Sequence, residues 1–269
     1  MALVVLAAGL AATGLVGGLL AGLLGIGGGI VIVPVLYHVL ALLGVDEAVR
    51  MHLAVGTSLA TIIPTSIRSA RAHYQRGGLD PDLLRGLGPG VGVGAVAGVL
   101  VSSVVSGVML GAVFAVVAVL VAVNMAMPKR PPALATALPA GPGLAALGGS
   151  IGTLSTLMGI GGGTLTVPAL SLYSVPIHRA VGTAAAVGVV ISIPGALGFV
   201  VSGLGVPGRL PGSLGYVNVI GLALIIPLSL VAAPWGARLA HRINPQHLRQ
   251  VFAVFLIVTA VRMGLDLWN

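Results

Sequence analysis

Two identical glycine clusters are the residues of this sequence best suited to binding a ligand. Gly-Ile-Gly-Gly-Gly occurs at residues 25–29 and again at residues 159–163, each time inside an apolar run and followed by a proline. Glycine is costly in a helix interior, so each cluster predicts a break in a helical segment. The first N–H groups of a helix that restarts there lack intrahelical partners and carry partial positive charge. A small anion can accept their hydrogen bonds, and glycine lets it approach the backbone closely.

Hydroxyl groups near the two clusters extend the predicted anion site. Ala-Val-Gly-Thr occurs at residues 54–57 and again at residues 180–183, and Thr or Ser hydroxyls can donate to the oxygens of a small oxyanion. The predicted substrate-binding residues are Gly27, Gly28, Gly29, Thr57, Ser58, Gly161, Gly162, Gly163, Thr164, Thr183 and Arg68. Ser58 corresponds to Ala184, so this site is chemically asymmetric. Two alternatives stay open: the glycines form a packing face between helices, and the hydroxyls bond to carbonyls of their own helix.

Few titratable groups lie inside the apolar segments. An arginine within a membrane segment favours a functional role, and Arg68 could attract an anion at the inner mouth or extend its head to the surface. His52 and His178 lie at matching segment starts and are candidates for proton coupling, with interfacial anchoring as the alternative. No acidic residue lies in the middle of a segment, which favours an anionic substrate over a cationic one.

The composition indicates a polytopic α-helical membrane protein. Apolar residues make up 57% of the 269 residues and charged residues only 7%, where a soluble domain carries about 25%. The net charge of +8 is dispersed among short loops, without the basic and aromatic clusters of a nucleic-acid-binding protein. There is no cysteine, phosphate-binding loop or zinc motif. We therefore expect no enzymatic activity, cofactor, metal site or nucleic-acid partner.

The apolar runs predict ten segments. They cover residues 2–24, 26–43, 52–71, 86–103, 107–127, 141–158, 160–175, 179–202, 214–234 and 249–267. Lys and Arg concentrate in loop 72–85, in a central linker at 128–142 and in loop 235–248, which places all three in the cytoplasm. Both termini are then outside a bacterial inner membrane. If the glycine-flanked segments are short or re-entrant, eight segments are full spans.

The two halves of the chain predict inverted-topology repeats. The first repeat is residues 1–127, and the second, after the linker, is residues 143–269. The glycine clusters align at an offset of 134 residues, the Ala-Val-Gly-Thr segments at 126, and the last segments at 138. Each half has five segments, and an odd number turns the second copy upside down. Paired broken segments in corresponding places are the sequence pointer to the binding site of a secondary transporter.

These residues resemble the TauE/SafE family of sulfite exporters, also called the toluene sulfonate uptake permease family. The resemblance rests on the glycine clusters with their prolines, on Ala-Val-Gly-Thr-Ser at 54–58, on Ala72-His-Tyr-Gln-Arg-Gly-Gly78, and on the duplicated layout. It implies a bacterial inner-membrane carrier of sulfite, sulfoacetate or other organosulfur anions. The second half departs from the pattern at Ala184 and Ala185, where the first half has Ser-Leu.

The sequence therefore predicts a secondary transporter, acting as an exporter, of small sulfur-containing oxyanions. The anion would be held at the paired breaks, with Pro64, Pro194 and the central linker as hinges for alternating access. An anion channel, a carrier of another small organic anion and a non-transporting scaffold are the alternatives. The substrate and the lipid bilayer are the expected partners, and a homodimer is left open.

Overall fold

The computed structural model describes residues 2–24, 28–127, 135, 137–240 and 245–266. These residues form ten α-helices and one short antiparallel β-hairpin. The helices are α1 (Ala2–Leu24), α2 (Gly29–Leu42), α3 (Glu47–Gln75), α4 (Pro81–Val104), α5 (Gly107–Ala126), α6 (Pro142–Met158), α7 (Gly162–Ser171), α8 (Ile177–Ser202), α9 (Val219–Ala240) and α10 (Pro245–Asp266). The hairpin pairs β1 (Ser213–Leu214) with β2 (Val217–Asn218) just before α9.

The helices confirm the predicted all-α architecture. Within the described residues, four helical stretches are long and apolar enough to cross a membrane: α4, α5, α8 and Val219–Gly236 of α9. Shorter apolar stretches lie in α1, α2 and α10. Many large apolar side chains on these helices are exposed at the outer surface of the bundle, which suits a lipid environment rather than water.

The centre of the bundle is the pair α3 and α8, which pack against each other and are buried along much of their length. Around this pair, α1 packs on α9, α4 packs on α6, and α5 packs on α10. The short helices α2 and α7 lie against α3 and α8 respectively. Each helix of the first half thus has its main partner in the second half, apart from α2.

Small residues at intervals of four let the flanking helices approach backbone to backbone. On α4, a Cβ added to Gly94 would collide with the carbonyl group of Gly149 on α6. The other glycines of this kind are Gly90 and Gly98 on α4, Gly148 and Gly152 on α6, and Gly14, Gly18 and Gly22 on α1. Such spacing drives close helix association in membranes, where lipid provides no hydrophobic force between helices.

Two helices begin about five residues earlier than the apolar runs predict. α3 begins at Glu47, because the Asp46 carboxylate accepts a hydrogen bond from Ala48 N at 2.8 Å. α4 begins at Pro81, because Asp80 accepts from two backbone N–H groups of the first turn. A capped first turn is polar, so a search for apolar runs misses it. His52 consequently lies in the second turn of α3 rather than at its start.

The helices that follow the glycine clusters are short. α2 has 14 residues and α7 has 10, which correspond to lengths of about 21 and 15 Å. The hydrocarbon core of a bilayer is about 30 Å thick, so neither helix can cross it alone. The sequence left open whether these two segments span, and their lengths are too short for either helix to span alone.

Candidate functional site

The two glycine breaks meet inside the bundle. α6 ends at Met158, and Gly159 takes the left-handed conformation (φ 65°) while its N–H and that of Ile160 bond to α6 carbonyls. A Cβ placed on Gly29, the first residue of α2, would lie 2.8 Å from Gly159 O and 2.9 Å from Ile160 Cα. The start of α2 therefore packs directly on the end of α6, and Gly29 of the first cluster is a neighbour of Gly159, the first glycine of the second cluster.

The N-termini of α2 and α7 are not closed by side chains. Gly28 is the N-cap of α2 and Gly161 that of α7, and neither helix has a side-chain cap among the described residues. Glycine cannot supply the oxygen with which Ser, Thr, Asp or Asn accepts from the first turn. First-turn N–H groups at both breaks thus have no side-chain acceptor, although at α2 the Val31 N–H donates to Gly28 O at 3.0 Å. Gly27, also predicted for the site, lies outside the described residues.

Unpaired hydroxyl groups surround the second break. Ser155 and Thr156 precede it, Thr164 and Thr166 follow it, and all four are at most 3% exposed. Within the described part of the chain, none of their side-chain oxygens has a hydrogen-bond partner. A buried hydroxyl left unpaired costs about 1–3 kcal/mol, so four in one region mark a place where a partner belongs. Of these residues the sequence analysis identified only Thr164.

The other predicted hydroxyls are engaged in helix contacts. Ser58 Oγ donates to Gly159 O at 2.7 Å, so this side chain holds the second break in place. Thr57 Oγ1 accepts from Asn218 N at 2.9 Å, and Thr183 Oγ1 accepts from Asp80 N at 3.2 Å. Each threonine thus fixes the residue before a helix, α9 for Thr57 and α4 for Thr183. Each hydroxyl keeps one hydrogen that it can still donate.

The glycine of each Ala-Val-Gly-Thr segment explains why the segment is repeated. A Cβ on Gly56 would collide with the carbonyl oxygen of Tyr216, and a Cβ on Gly182 would collide with that of Gly78. In each segment, the glycine lets a loop of the other half approach. The threonine after it accepts a hydrogen bond from the residue two positions further along that loop. Sequence reasoning missed this role because the pairing joins residues more than 100 positions apart.

The second glycine cluster is packed between α3 and α8. A Cβ on Gly162 would collide with the Ala184 carbonyl of α8, whereas Gly161 lies near Ile62 of α3 and Gly163 is half-buried. A Cβ on Gly188 would sit 2.5 Å from Ser66 Oγ and 3.3 Å from Gly162 N. The Ser66 hydroxyl and the first N–H of α7 therefore converge beside Gly188. The sequence analysis did not single out Ser66 or Gly188.

The predicted titratable residues lie away from the breaks. Arg68 is exposed on α3, and His178 is exposed at the start of α8. His52 is buried, with its Nε2 at 3.1 Å from Ser102 O and its ring stacked on Tyr216 at 4.9 Å. A carbonyl only accepts, so in this arrangement Nε2 carries the hydrogen and Nδ1 has a lone pair. Nδ1 has no partner among the residues that the structure describes.

His52 lines a polar cavity of about 490 Å³ at one end of the bundle. The other residues around it are Asp46, Glu47, Ala48, Ser102, Ser103, Val105, Ser106, Gly107, Val108, Ser202 and Tyr216. The cavity lies between the start of α3, the α4–α5 turn and the end of α8. Neither here nor elsewhere in the described ranges is a group of three or more His, Asp or Glu side chains placed to hold a metal ion.

An ion pair links the two halves at the opposite end of α3 and α8. The Asp80 carboxylate binds the Arg179 guanidinium, and its other oxygen caps α4. The hydrogen bond from Leu83 N, together with Arg179, lowers the pKa of Asp80 below its ordinary value. Because the folded pKa is lowered, Asp80 stabilises the fold above the unfolded pKa, and this contribution disappears as the pH falls through the folded value.

We expect Asp80→Ala to lower the free energy of unfolding by about 1 kcal/mol, the usual effect of losing an N-cap. The measurement is the melting temperature of the purified protein in detergent as a function of pH. The difference from the wild type should shrink as the pH falls below the ordinary carboxyl pKa of about 3.9. Asp82→Ala is the matched control, because Asp82 forms only an exposed pair with Arg85. Equal melting of the two variants at neutral pH would contradict the capping role.

The helical bundle, its membrane-length helices and its broken central segments define a multi-pass α-helical membrane protein. The profile of the family described as "Sulfite exporter TauE/SafE" matches residues 10–263. The chain therefore belongs to the TauE/SafE family, as its motifs predict, and is a membrane transporter of that family.

Two curated relatives agree with this assignment. A Haemophilus influenzae protein named "Probable membrane transporter protein" is 35% identical over 253 residues, which cover 94% of this chain and 96% of the relative. A Methanocaldococcus jannaschii protein, "Probable membrane transporter protein MJ0441", is 32% identical over 113 residues, or 42% of this chain and 41% of the relative. No solved structure matches the chain significantly.

Proposed function

We propose that this protein is a secondary carrier of small sulfur-containing oxyanions, such as sulfite or organosulfonates. The observation that carries the proposal is the meeting of the two breaks, where Gly29 packs on Gly159 and neither α2 nor α7 has a side-chain cap. Uncapped helix N-termini favour a bound anion. The family description supports the same substrate class.

We also propose that the two halves are inverted repeats. If the helices α1–α5 are exchanged in order with α6–α10, α1 becomes α6 and α9 becomes α4. The α1–α9 contact then becomes the α6–α4 contact, and the α3–α8 and α5–α10 contacts stay the same. The same exchange turns the hydrogen bond from Asn218 N to Thr57 Oγ1 into the one from Asp80 N to Thr183 Oγ1. Matched contacts of this kind support a pseudo-two-fold axis between α3 and α8.

The two ends of the bundle support alternating access. The Asp80–Arg179 pair ties the halves together at the end predicted to be cytoplasmic. The cavity beside His52 opens at the end predicted to be outside. In this arrangement the inner end is closed and the outer end is accessible. Pro64 and Pro194 lie inside α3 and α8 and are the proposed hinges.

Export is the proposed direction. Moving an anion out of a cell that is negative inside is favourable by about 2.3 kcal/mol per charge per 100 mV, so export needs no coupled ion. Import would need one, and His52, with its lone pair beside the outer cavity, is the proposed proton carrier in that case. His178 occupies the matching position at the inner end but is exposed.

The test is flux of sulfite and of ethanesulfonate in proteoliposomes containing the full chain. We expect saturable flux that is absent from protein-free liposomes and that responds to an imposed membrane potential. Non-saturating flux with measurable conductance in planar bilayers would identify a channel instead. Absence of flux for every sulfur oxyanion at several pH values would overturn the proposed substrate class.

The same assay examines proton coupling. If His52 carries protons, an imposed pH gradient drives the anion in the wild type and in His178→Gln, but not in His52→Gln. Identical responses of all three proteins to the gradient would assign the histidines a structural role.

A further inference from the structure

We propose that the anion is held at the second break alone, through neutral donors, and that the site therefore selects monovalent oxyanions over divalent ones. The proposed ligand is an oxyanion with a single negative charge, such as hydrogensulfite or a simple alkanesulfonate. This inference rests on the proposed function, since it assumes that an anion binds at the breaks.

The first observation is that only one break is surrounded by hydroxyls. At the offset of 134 residues that aligns the two glycine clusters, each unpaired hydroxyl of the second half corresponds to a residue without one. Ser155, Thr156, Thr164 and Thr166 correspond to Ala21, Gly22, Ile30 and Ile32. The two breaks share a backbone motif, but their surroundings differ in every one of these four side chains.

The second observation is the convergence of donors at the start of α7. Thr164 is the third residue of this helix, and helical side chains tilt toward the N-terminus, so its hydroxyl lies over the break. Ser66 Oγ and Gly162 N, at the first residue of the same helix, both approach the position beside Gly188. In the proposed site these two hydroxyls and the backbone N–H groups of α7 donate to one anion.

At the start of α2, by contrast, the side chains nearest the described glycines are apolar. A Cβ on Gly28 would lie 3.0 Å from Ala21 Cβ and 3.4 Å from Ile32 Cδ1, and a Cβ on Gly29 would lie 2.8 Å from Ile62 Cδ1. Buried aliphatic groups cannot replace the water that an anion loses. The first break therefore serves as a packing surface against Gly159, and the second provides the donors.

The third observation is the absence of charge in the segments that form this region. Residues 58–66, 155–166 and 184–195, all within the described chain, contain no ionisable side chain. The idealised free energy of removing an ion from water grows with the square of its charge, so a divalent anion loses about four times as much as a monovalent one. Attraction to neutral donors grows only in proportion to the charge. A site without Lys or Arg therefore favours a single negative charge.

Arg68 does not change this balance. It lies two residues after Ser66, but its side chain is exposed rather than buried among the donors. Screening by solvent weakens the interaction of an exposed charge with a buried ion. Arg68 can attract anions toward the bundle without neutralising a second charge at the breaks.

The test compares two ligands of similar length, ethanesulfonate with one charge and sulfoacetate with two, by thermal shift and calorimetry on the detergent-purified full chain at neutral pH. We expect ethanesulfonate to bind at least about tenfold more tightly. Equal affinities, or tighter binding of sulfoacetate, would overturn the selectivity while leaving the anion carrier intact. Failure of both ligands, and of sulfite, to bind would overturn the proposed function together with this inference.

Variants locate the site. Thr164→Val keeps the shape of the side chain and removes the hydroxyl, so we expect ethanesulfonate to bind about tenfold more weakly. Because the hydroxyl is buried and unpaired without ligand, the same variant should melt at an unchanged or higher temperature when no anion is present. Thr13→Val is the matched control, since Thr13 bonds only to Gly9 O of its own helix. Unchanged affinity in Thr164→Val would overturn the placement at the second break.

Discussion

Gly94→Leu should prevent the protein from folding. A side chain at this position would meet the backbone of Gly149, because α4 and α6 approach each other through glycine on both sides. Ordinary overpacking costs about 1–3 kcal/mol when side chains can move aside. Here the obstacle is the main chain of a helix, so the whole α4–α6 contact must open. We expect the yield of monodisperse protein in detergent to fall below detection.

Gly264→Leu is the control for this prediction. Gly264 lies on α10, and a Cβ added there would meet no atom within 4 Å. Leucine is also a better helix former than glycine by nearly 1 kcal/mol. The control should therefore express and melt like the wild type or slightly above it. If Gly94→Leu behaved like Gly264→Leu, the close packing of α4 on α6 would be wrong.

The sequence predicted the helical segments well because bilayer length and apolar composition are properties of single segments. All ten predicted runs correspond to helices of the structure. The breaks were also predictable, since a glycine cluster acts on its own backbone. The early starts of α3 and α4 were not, because Asp46 and Asp80 act through hydrogen bonds to first turns that are polar and lie outside the apolar runs.

The partners of the hydroxyl groups could not be predicted. Thr57 and Thr183 were candidates for the substrate, and the structure shows each of them accepting a backbone N–H from the other half. Thr166 and Ser66 look like ordinary Ser or Thr residues in a membrane helix, where a bond to the preceding turn is the usual expectation. Whether such a bond forms depends on the packing of several helices. The difference between the two breaks is nevertheless visible in the sequence, because the four hydroxyl residues around the second break align with residues that have no hydroxyl around the first.

The two halves also differ where they face opposite ends of the bundle. At the offsets that align the halves, Asp80 and Arg179 at one end correspond to Asn218 and Leu53 at the other. An ion pair thus replaces a neutral pair at matching positions. If the repeats are inverted, as proposed, an ion pair between the halves is present, among the described residues, only at the inner end, and the two directions of opening are not equivalent in energy.

Gly188→Ala should abolish anion binding and leave the fold intact. The added methyl would sit 2.5 Å from Ser66 Oγ and 3.3 Å from Gly162 N, in the space where the proposed site brings donors to the anion. Ser66 can rotate its hydroxyl away, so the methyl is accommodated at the expense of one donor and of access to the N–H. Replacing glycine by alanine inside α8 also favours the helix by nearly 1 kcal/mol.

This variant separates loss of binding from misfolding better than a change in the glycine cluster itself. A Cβ on Gly162 would collide with the Ala184 carbonyl of α8, so loss of binding there would not be separable from misfolding. Gly92→Ala is the control for Gly188→Ala, because its Cβ would make an ordinary contact of 3.7 Å with Val190. We expect both alanine variants to melt like the wild type, with saturable ethanesulfonate binding and flux retained in Gly92→Ala and lost in Gly188→Ala. Full binding by a folded Gly188→Ala would mean that the anion does not lie between Ser66 and the start of α7.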